Sequence, residues 1–467
     1  MEDKGQSKGE SYESKHVWDC LDDAGRQDVM EFCERYRDFL DAAKTEREAV
    51  DTIIARAEIG GFTPLTEQSR IVPGSRVYSA KHGKVMAMAV IGSEPLEKGL
   101  NVIGSHIDAP RLDLKPRPLY QEAGLALFKT HYYGGIKKYQ WVSIPLSLHG
   151  VVFTKEGNAV RIAIGSNDHD PVFTIADLLP HLAKDQMEKK MSEAVKGEAL
   201  NVLVGGNPVE NREAKERLKQ AVLDQLNARY GLIEEDFISA ELEVAPAFPA
   251  RDVGFDRSMI GGYGQDDRVC AFTSLQAILE LDSVSRTAVA LFADKEEIGS
   301  VGNTGMESVF LTNFIAELAG CSLPQYSELT VRRILANSRA LSADVTAGTN
   351  PSYTEVMDKH NEMLLGRGTA FHKYGGGGGK RSSSDANAEF VSFVRQLFNK
   401  EGVVWQTGEL GKVDQGGGGT IAYLLAHYGM DVLDCGVPLL GMHSPFEVAH
   451  KGDIYMTYKG YKVFFKA

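Results

Sequence analysis

Residues 100–108 read LNVIGSHID, an apolar run that leads straight into a histidine and an aspartate. The β-branched residues of the run, and the turn residues around it, predict a short buried strand from Leu100 to Gly104. In layered α/β sheets, functional sites lie beyond the carboxyl ends of the strands. His106 and Asp108 stand at such an end, so this stretch predicts a sheet and places a candidate site at its edge.

Strand and helix patterns alternate along most of the chain. From Val17 to about Glu58, apolar residues recur at intervals of three and four, which predicts an amphipathic helical opening that ends at Gly60. Lys84 to Ile91 has the texture of another strand. The later segments that alternate are strands at 287–293, 339–344, 403–406 and 432–440, and helices at 309–319, 386–398 and 420–428. This order predicts an α/β fold, a layered sheet with helices on both faces.

The block from Arg111 to Val253 has a different texture. One charged helix at 213–230 lies among predicted strands at 141–148, 151–154, 160–164 and 238–244. A single hydrophobic core stops growing near roughly 250–300 residues, whereas this chain has 467. We therefore expect a main domain of residues 1–110 plus 254–467, interrupted by a β-rich inserted domain of residues 111–253.

The composition excludes several classes of protein. The chain has 51 Lys and Arg against 64 Asp and Glu, a net charge of −13 with no long basic run, which disfavours binding to nucleic acid or to an anionic membrane. No stretch approaches the roughly 20 apolar residues of a transmembrane helix, and the polar start MEDKGQSKGESYESKH lacks a signal-peptide core. The five cysteines are scattered and odd in number, which suits a reducing compartment. The expected location is the cytoplasm.

Acidic and imidazole side chains stand at five strand ends or helix starts. Each position alone is a weak signal, because a strand-end aspartate is more often a helix cap than a ligand. Together they supply what a two-metal hydrolase needs, and a set without thiolates favours zinc, manganese or cobalt. The positions are His106 with Asp108, Asp266 with Asp267, Glu296 with Glu297, Asp344, and His443.

The residue types suggest how two divalent ions would be shared. Ions roughly 3.5–4 Å apart need a carboxylate that bridges them, together with terminal ligands that leave a water open to attack. Asp266 is the candidate bridge. His106 with Asp344 would complete the coordination of one ion, and Glu297 with His443 would complete that of the other.

Two further acids have candidate supporting roles. The side chains of two consecutive residues do not easily point in the same direction. Glu296 would therefore reach the water as general base, while Glu297 binds a metal ion. Asp108, two residues past His106, can accept the second imidazole N–H and so fix the tautomer of the ligand.

Five segments resemble a known family in sequence and in order. They are similar to the motifs of the aspartyl aminopeptidase and aminopeptidase I family of dinuclear-zinc exopeptidases, over the chain from about residue 84 to the C-terminus. The resemblance implies a layered α/β/α zinc-aminopeptidase catalytic domain, the ligands and base assigned above, and a cis peptide bond between Asp266 and Asp267. The segments are GSHIDAPRLDLKP (104–116), GQDDRVCAF (264–272), ADKEEIGSVGNTG (293–305), LSADVTAGTNP (341–351) and LLGMHSPFEVA (439–449).

The resemblance also implies an assembly. In this family the inserted domain is a dimerisation domain that drives formation of tetrahedral dodecamers, whose active sites face an inner chamber. A histidine of that domain reaches into a neighbour's active site, and His181, in LLPHLAKD, stands where it is expected. A histidine on a surface helix is the alternative.

Two glycine runs have candidate roles in substrate binding. The run 375–379 precedes Lys380 but lacks the spacing of a Walker phosphate loop. The resemblance places this loop beside the substrate pocket, where Lys373 and Lys380 compete for the role of the family's substrate-binding lysine. Gly417, in the run 416–419, would bring its backbone close to the substrate, with a plain tight turn as the alternative.

These observations indicate a metallo-aminopeptidase that acts on peptides with a free N-terminus through two divalent ions, with zinc the first choice and cobalt or manganese possible. Broad or neutral specificity is the favoured interpretation, and preference for an N-terminal acidic residue is the alternative. Two other functions stay open. One is a metal-dependent amidase or deacylase of N-acyl amino acids, and the other is a non-catalytic shell or scaffold protein.

Overall fold

The computed structural model describes residues 12–68 and 70–467, apart from the side chain of Glu67. Most of the polar start, where we expect no signal-peptide core, therefore lies outside the described residues. Within the described ranges, no helix is long and apolar enough to cross a membrane.

The structure contains α-helices, short 3-10 turns and three sheets. The helices of the described residues are α1 Asp23–Ala42, α2 Glu46–Ile59, α3 Lys184–Met187, α4 Met191–Ala194, α5 Arg217–Tyr230, α6 Gln265–Leu279, α7 Phe310–Ser322, α8 Glu328–Ala336, α9 Ala388–Lys400, α10 Ala422–His427 and α11 Lys451–Lys466. The strands are β1 Thr63–Pro64, β2 Arg76–Lys81, β3 Val85–Val90, β4 Asn101–His106, β5 Arg111–Glu122, β6 Leu125–Tyr133, β7 Leu146–Phe153, β8 Ala159–Ile164, β9 Asn201–Gly205, β10 Ala240–Pro246, β11 Arg251–Val253, β12 Met259–Gly262, β13 Ala288–Ala293, β14 Arg339–Ser342, β15 Thr346–Ala347, β16 Thr369–His372, β17 Trp405–Thr407, β18 Asp431–Gly436, β19 Pro438–Leu440 and β20 Glu447–His450.

A nine-stranded sheet forms the centre of the layered part, in the order β1-β2-β3-β13-β4-β14-β18-β16-β17. Its middle strands β13, β4, β14 and β18 are parallel, so their carboxyl ends meet at one edge. Every residue of β4 and β13 is buried, because helices cover both faces, and such strands read as continuous apolar runs.

The helices pack in two layers. One core cluster joins α1, α2, α6, α9 and α11 to one face of the sheet, and another joins α7, α8 and α10 to the opposite face. Ile103 and Val102, neighbours on β4, belong to different clusters because successive side chains of a strand point to opposite faces. The expected layered α/β fold with helices on both faces is confirmed.

A six-stranded antiparallel sheet, in the order β8-β7-β10-β5-β6-β9, lies wholly within residues 111–246. It has its own apolar core around the fully buried Trp141. The next strand, β11, pairs instead with β12 in a five-stranded sheet that contains β20, β19 and β15. The division at residues 111 and 253 stays a prediction, which the extent of the six-stranded sheet supports.

Some local predictions differ from the structure. The helical opening is two helices, because Thr45 starts α2 with a capping box: its side chain accepts from the backbone N–H of Glu48, and the Glu48 carboxylate accepts from the N–H of Thr45. The strand expected at 141–148 starts only at Leu146, and it continues without interruption through the strand expected at 151–154. The long β5–β6 hairpin has no clean alternation in the sequence, and its register shifts between Leu114 and Leu119.

Candidate metal centre

The carboxyl-terminal edge of the nine-stranded sheet holds most of the candidate ligands. His106 is the last residue of β4, Asp344 lies two residues beyond β14, and Glu297 lies in the 3-10 turn after β13. His443 follows β19. Asp266 lies at the start of α6, where it and Asp267 have non-helical backbone angles, and the peptide bond between them is cis, as the resemblance implies.

Asp266 lies between the two histidines. Its Oδ1 is 3.2 Å from His106 Nε2, and its Oδ2 is 3.1 Å from His443 Nε2. Each oxygen of this one carboxylate therefore faces a different imidazole. This is the arrangement that a bridging carboxylate requires.

Each histidine also has a second carboxylate beside it. Asp344 Oδ1 is 3.8 Å from His106 Nε2, and Glu297 Oε1 is 3.5 Å from His443 Nε2. All five candidate ligands therefore lie near one another in the structure, and their division between two ions stays a prediction.

The donor set fits divalent cations. Within the described residues, Asp266 Oδ1 and Glu297 Oε1 are buried without a hydrogen-bond partner, and buried carboxylate oxygens are costly to leave unpaired. Three carboxylates and two imidazoles suit zinc, manganese or cobalt. His106 with Asp266 and Glu297, and His106 with Asp267 and Asp344, form groups whose ligand atoms lie within 4.8 Å of one another. Asp267 was not among our candidate ligands.

Asp108 connects several parts of the centre. His106 Nδ1 lies 3.2 Å from Asp108 Oδ1 and 3.1 Å from its backbone oxygen. The backbone N–H of Glu296 donates to Oδ1 (3.1 Å) and that of Glu297 to Oδ2 (3.2 Å). Tyr133 donates its hydroxyl to Oδ2 at 2.8 Å. The carboxylate therefore holds both the first histidine and the turn that carries the two glutamates.

The pKa values of several site residues are shifted because the carboxylates are buried and close to one another. Burial raises the pKa of Glu296 to about 7, and it raises the pKa values of Glu297 and Asp344 well above their ordinary range. Burial lowers the pKa of His443, but its hydrogen bond to Asp266 and the charge of Glu297 outweigh this and raise it to about 10. Buried acidic groups crowded together in this way favour their protonated forms.

Glu447 is a site residue that the sequence reasoning missed. Its Oε1 accepts from the backbone N–H of His443 (2.7 Å) and its Oε2 from that of Asp266 (3.1 Å). It is buried, which raises its pKa to about 8. The signal available in the sequence was that Glu447 is an acidic residue in the apolar segment just after His443. Nothing in the sequence marks Tyr133, because its contact joins the end of β6 to Asp108 in the loop after β4, 25 residues away along the chain.

A cavity of about 460 Å³ opens beside the candidate ligands. Its lining, all within the described residues, contains no lysine or arginine. The apolar walls come from Val345, Leu410 and Met442, and Thr420 and Asp434 supply polar groups. The Thr420 hydroxyl donates to Asp434 Oδ1 at 2.6 Å.

The remaining candidate residues divide into two groups. Gly417 lines this cavity, and Lys380 lines a second one of about 410 Å³ that shares Gly375, Leu410 and Gly417 with the first. Lys373 is exposed and absent from both linings. His181 is exposed in the 3-10 turn Pro180–Leu182 and also lines neither cavity. The single chain therefore leaves Lys373 and His181 outside the metal centre.

Comparison with known proteins identifies the family of this chain. Residues 39–465 match the family described as aminopeptidase I zinc metalloprotease (M18). The chain is 49% identical to the "Probable M18 family aminopeptidase 1" of Clostridium acetobutylicum, over 97% of this chain and 98% of that protein. The crystal structure of an M18 family aminopeptidase from Thermotoga maritima is similar at a TM-score of 0.94 and 46% identity, over 98% of this chain and 100% of that one.

A more distant structure shares only the fold. The yeast mApe1 dodecamer is similar at a TM-score of 0.76 and 20% identity, over 94% of this chain and 97% of that one. The full-length matches at 46–49% identity, in contrast, define the family and its activity. On these matches, together with the cluster of histidines and carboxylates at the sheet edge, the chain belongs to the M18 family of zinc metallo-aminopeptidases.

Proposed function

We propose that this aminopeptidase removes single residues from free peptide N-termini by using two divalent ions that Asp266 bridges. The observation that carries the proposal is the position of the Asp266 carboxylate, with one oxygen toward His106 and the other toward His443. His106 and Asp344 would hold one ion, and His443 and Glu297 the other. Zinc is the proposed metal, with cobalt or manganese as substitutes. Bound ions supply Lewis-acid polarisation of the scissile carbonyl and activation of water.

Glu296 is the proposed general base. It lines the cavity beside the ligands, and Asp108 holds its backbone. A pKa near 7 suits a group that takes a proton from water and later gives it to the leaving amine. Asp108 also fixes His106 with Nδ1 engaged, which leaves Nε2 directed at Asp266.

We propose a preference for neutral N-terminal residues. Val345, Leu410 and Met442 give the cavity apolar walls, and the lining has no lysine or arginine to pair with an acidic side chain. Its acids would instead attract the free α-ammonium group of a peptide. Gly417 borders this cavity, and Lys380 borders the adjoining one, so these two, rather than Lys373, are the proposed substrate-binding residues.

We also propose a homo-oligomer, a tetrahedral dodecamer, in which His181 approaches the site of a neighbouring copy. Large apolar side chains are exposed on both sides of His181, and patches of this kind mark interfaces. They are Val172, Leu178, Leu179, Leu182, Met187 and Met191. The dodecamer of the yeast protein supports the same assembly. A reducing compartment, the cytoplasm, is the proposed location, because all five cysteines are in the described residues and unpaired.

The test compares Glu296→Gln with Glu317→Gln, which changes an exposed glutamate on α7. We expect Glu296→Gln to keep its metal content and to lose about 10²- to 10⁴-fold in kcat, because it loses the base and no ligand. Glu317→Gln should match the wild type in both. Wild-type turnover by Glu296→Gln would contradict the base assignment.

A panel of chromogenic amides tests the substrate. Neutral substrates with free amines should be hydrolysed faster than acidic ones, and N-acetylated ones should not react. Faster hydrolysis of acidic substrates would reverse the specificity, and hydrolysis of blocked substrates alone would indicate a deacylase. Wild-type protein without bound zinc, cobalt or manganese after reconstitution would indicate a scaffold.

A further inference from the structure

The segment that ends β6 lies directly against the metal centre, although β6 belongs to the six-stranded sheet. Tyr133, Gly134 and Gly135 make up this segment, which we name the 133–135 clamp. Each of its residues meets a different member of the centre.

Tyr133 acts on Asp108. Its hydroxyl donates to Asp108 Oδ2 at 2.8 Å, and the same oxygen accepts the backbone N–H of Glu297. The tyrosine therefore fixes the carboxylate in the orientation in which it can hold the glutamate turn. Hydrogen bonds to an ionised acceptor are about twice as strong as neutral ones.

Gly135 acts on His443. The His443 Nδ1 lies 2.9 Å from the backbone oxygen of Gly135, which can only accept a hydrogen bond. His443 must therefore carry a proton on Nδ1, and its Nε2 faces Asp266 Oδ2. This is how partners beyond the metal select the tautomer of a histidine ligand.

Gly134 lies against Glu297. A Cβ atom at this position would be 3.2 Å from Glu297 Oε2 and 3.3 Å from its Cβ, and φ is +72°. Only glycine gives both the backbone conformation and the close approach. The two glycines thus let the chain pass beside both His443 and Glu297.

The tyrosine is itself held by its own sheet. The Arg111 guanidinium carbon lies 3.9 Å from the centroid of the Tyr133 ring, and Arg111 pairs with Tyr133 across β5 and β6. Arg111 Nε lies 2.8 Å from Asp113 and 3.1 Å from Glu243, both in the same sheet. Arg111 Nη1 also lies 3.5 Å from Glu46 Oε2 on α2, so the six-stranded sheet and α2 together hold the arginine against the tyrosine ring.

We propose that the 133–135 clamp positions the metal centre, with Tyr133 as a positioning residue that acts through Asp108. The six-stranded sheet thereby supplies a structural requirement for catalysis within one chain. This inference rests on the proposed dinuclear function.

The test removes one hydroxyl. Tyr133→Phe should lower kcat by about 10- to 100-fold and weaken zinc binding by a similar factor, with KM within about threefold of wild type, because changes in partners of metal ligands have effects of this size. Zinc affinity is measured by competition with a chromogenic chelator, independently of turnover. The matched control is Tyr132→Phe, since Tyr132 is exposed and its neighbour in sequence.

A second variant separates positioning from packing. Replacement of Tyr133 by p-aminophenylalanine retains a donor at the ring position, and it should recover both zinc affinity and kcat relative to Tyr133→Phe. If circular dichroism shows that Tyr133→Phe is unfolded, the p-aminophenylalanine variant alone tests the proposal. A folded p-aminophenylalanine variant with the zinc affinity and kcat of wild type supports the clamp.

Two outcomes would overturn the inference: wild-type zinc affinity and kcat in Tyr133→Phe, or equal losses in Tyr132→Phe. Failure of the proposed function looks different. In that case the wild-type protein itself would bind no zinc or would release no N-terminal residue.

Discussion

Asp434 is a buried carboxyl group at the cavity, whose lining within the described residues contains no lysine or arginine. Burial raises its pKa to about 6, even though hydrogen bonds from Thr420 and Ser342 favour the ionised form. At the scale of a single residue, the environment of the Asp434 side chain predicts how the free energy of unfolding depends on pH.

The sign follows from the raised pKa. Between about pH 4 and pH 6 the unfolded chain loses the Asp434 proton while the folded chain keeps it, so the stability contributed by this group is fully present below pH 4 and is lost as the pH rises through 6. A shift of roughly two units corresponds to about 3 kcal/mol. Asp434→Asn should lack this loss.

Urea unfolding of the metal-free protein at pH 4.5 and 7.5 measures the effect. The free energy of unfolding of Asp434→Asn, relative to wild type, should be higher at pH 7.5 than at pH 4.5. Asp431→Asn is the control, because Asp431 is exposed on the same strand. An identical pH dependence in wild type and Asp434→Asn would contradict the prediction.

At the scale of elements, the join between α1 and α2 depends on one cap. Thr45 is buried and closes the capping box with Glu48. Thr45→Ala should lower the free energy of unfolding by about 1 kcal/mol. Thermal or urea denaturation measures this loss. Thr52→Ala, a half-buried position inside α2, should leave stability unchanged or slightly raised, because alanine is the better helix former. Equal stability of both variants would contradict the interpretation that the Thr45 cap causes the break between α1 and α2.

The elements also explain which predictions succeeded. Strand β4 is buried on both faces, so its sequence is a continuous apolar run. This run before His106 is what predicted the strand. The predicted helical opening that ends at Gly60 is present as α1 and α2, but the apolar periodicity did not reveal the break between them at Thr45. The β5–β6 hairpin was not predicted because Pro116, Pro118 and charged residues interrupt its alternation.

At the site, the sequence could nominate the ligands and Asp108, but not Tyr133 and Glu447, which also hold the centre. Each candidate ligand lies after a strand, in a turn or at a helix start, where position along the chain carries information. Tyr133 and Glu447 act through side-chain contacts between distant segments, and only the folded chain shows such contacts. His181 lies outside the cavity beside the candidate ligands of its own chain, so the role proposed for it requires a second copy.

At the scale of the whole molecule, the exposed segment around His181 predicts the assembly. Leu182 is 68% exposed. Leu182→Glu should reduce the molar mass measured by light scattering below that of the wild type, because a charge buried in an apolar interface is costly. Leu329→Glu, at an exposed position on α8, should keep the wild-type mass. A wild-type mass for Leu182→Glu would show that this segment does not form the interface.

The contacts of Tyr133 and Gly135 have a consequence for protein engineering. Excision of the six-stranded sheet would be the obvious route to a small monomeric peptidase. That excision would take away the hydroxyl that holds Asp108 and the carbonyl that holds His443. If the 133–135 clamp positions the metal centre as proposed, a minimal enzyme would need substitutes for both groups.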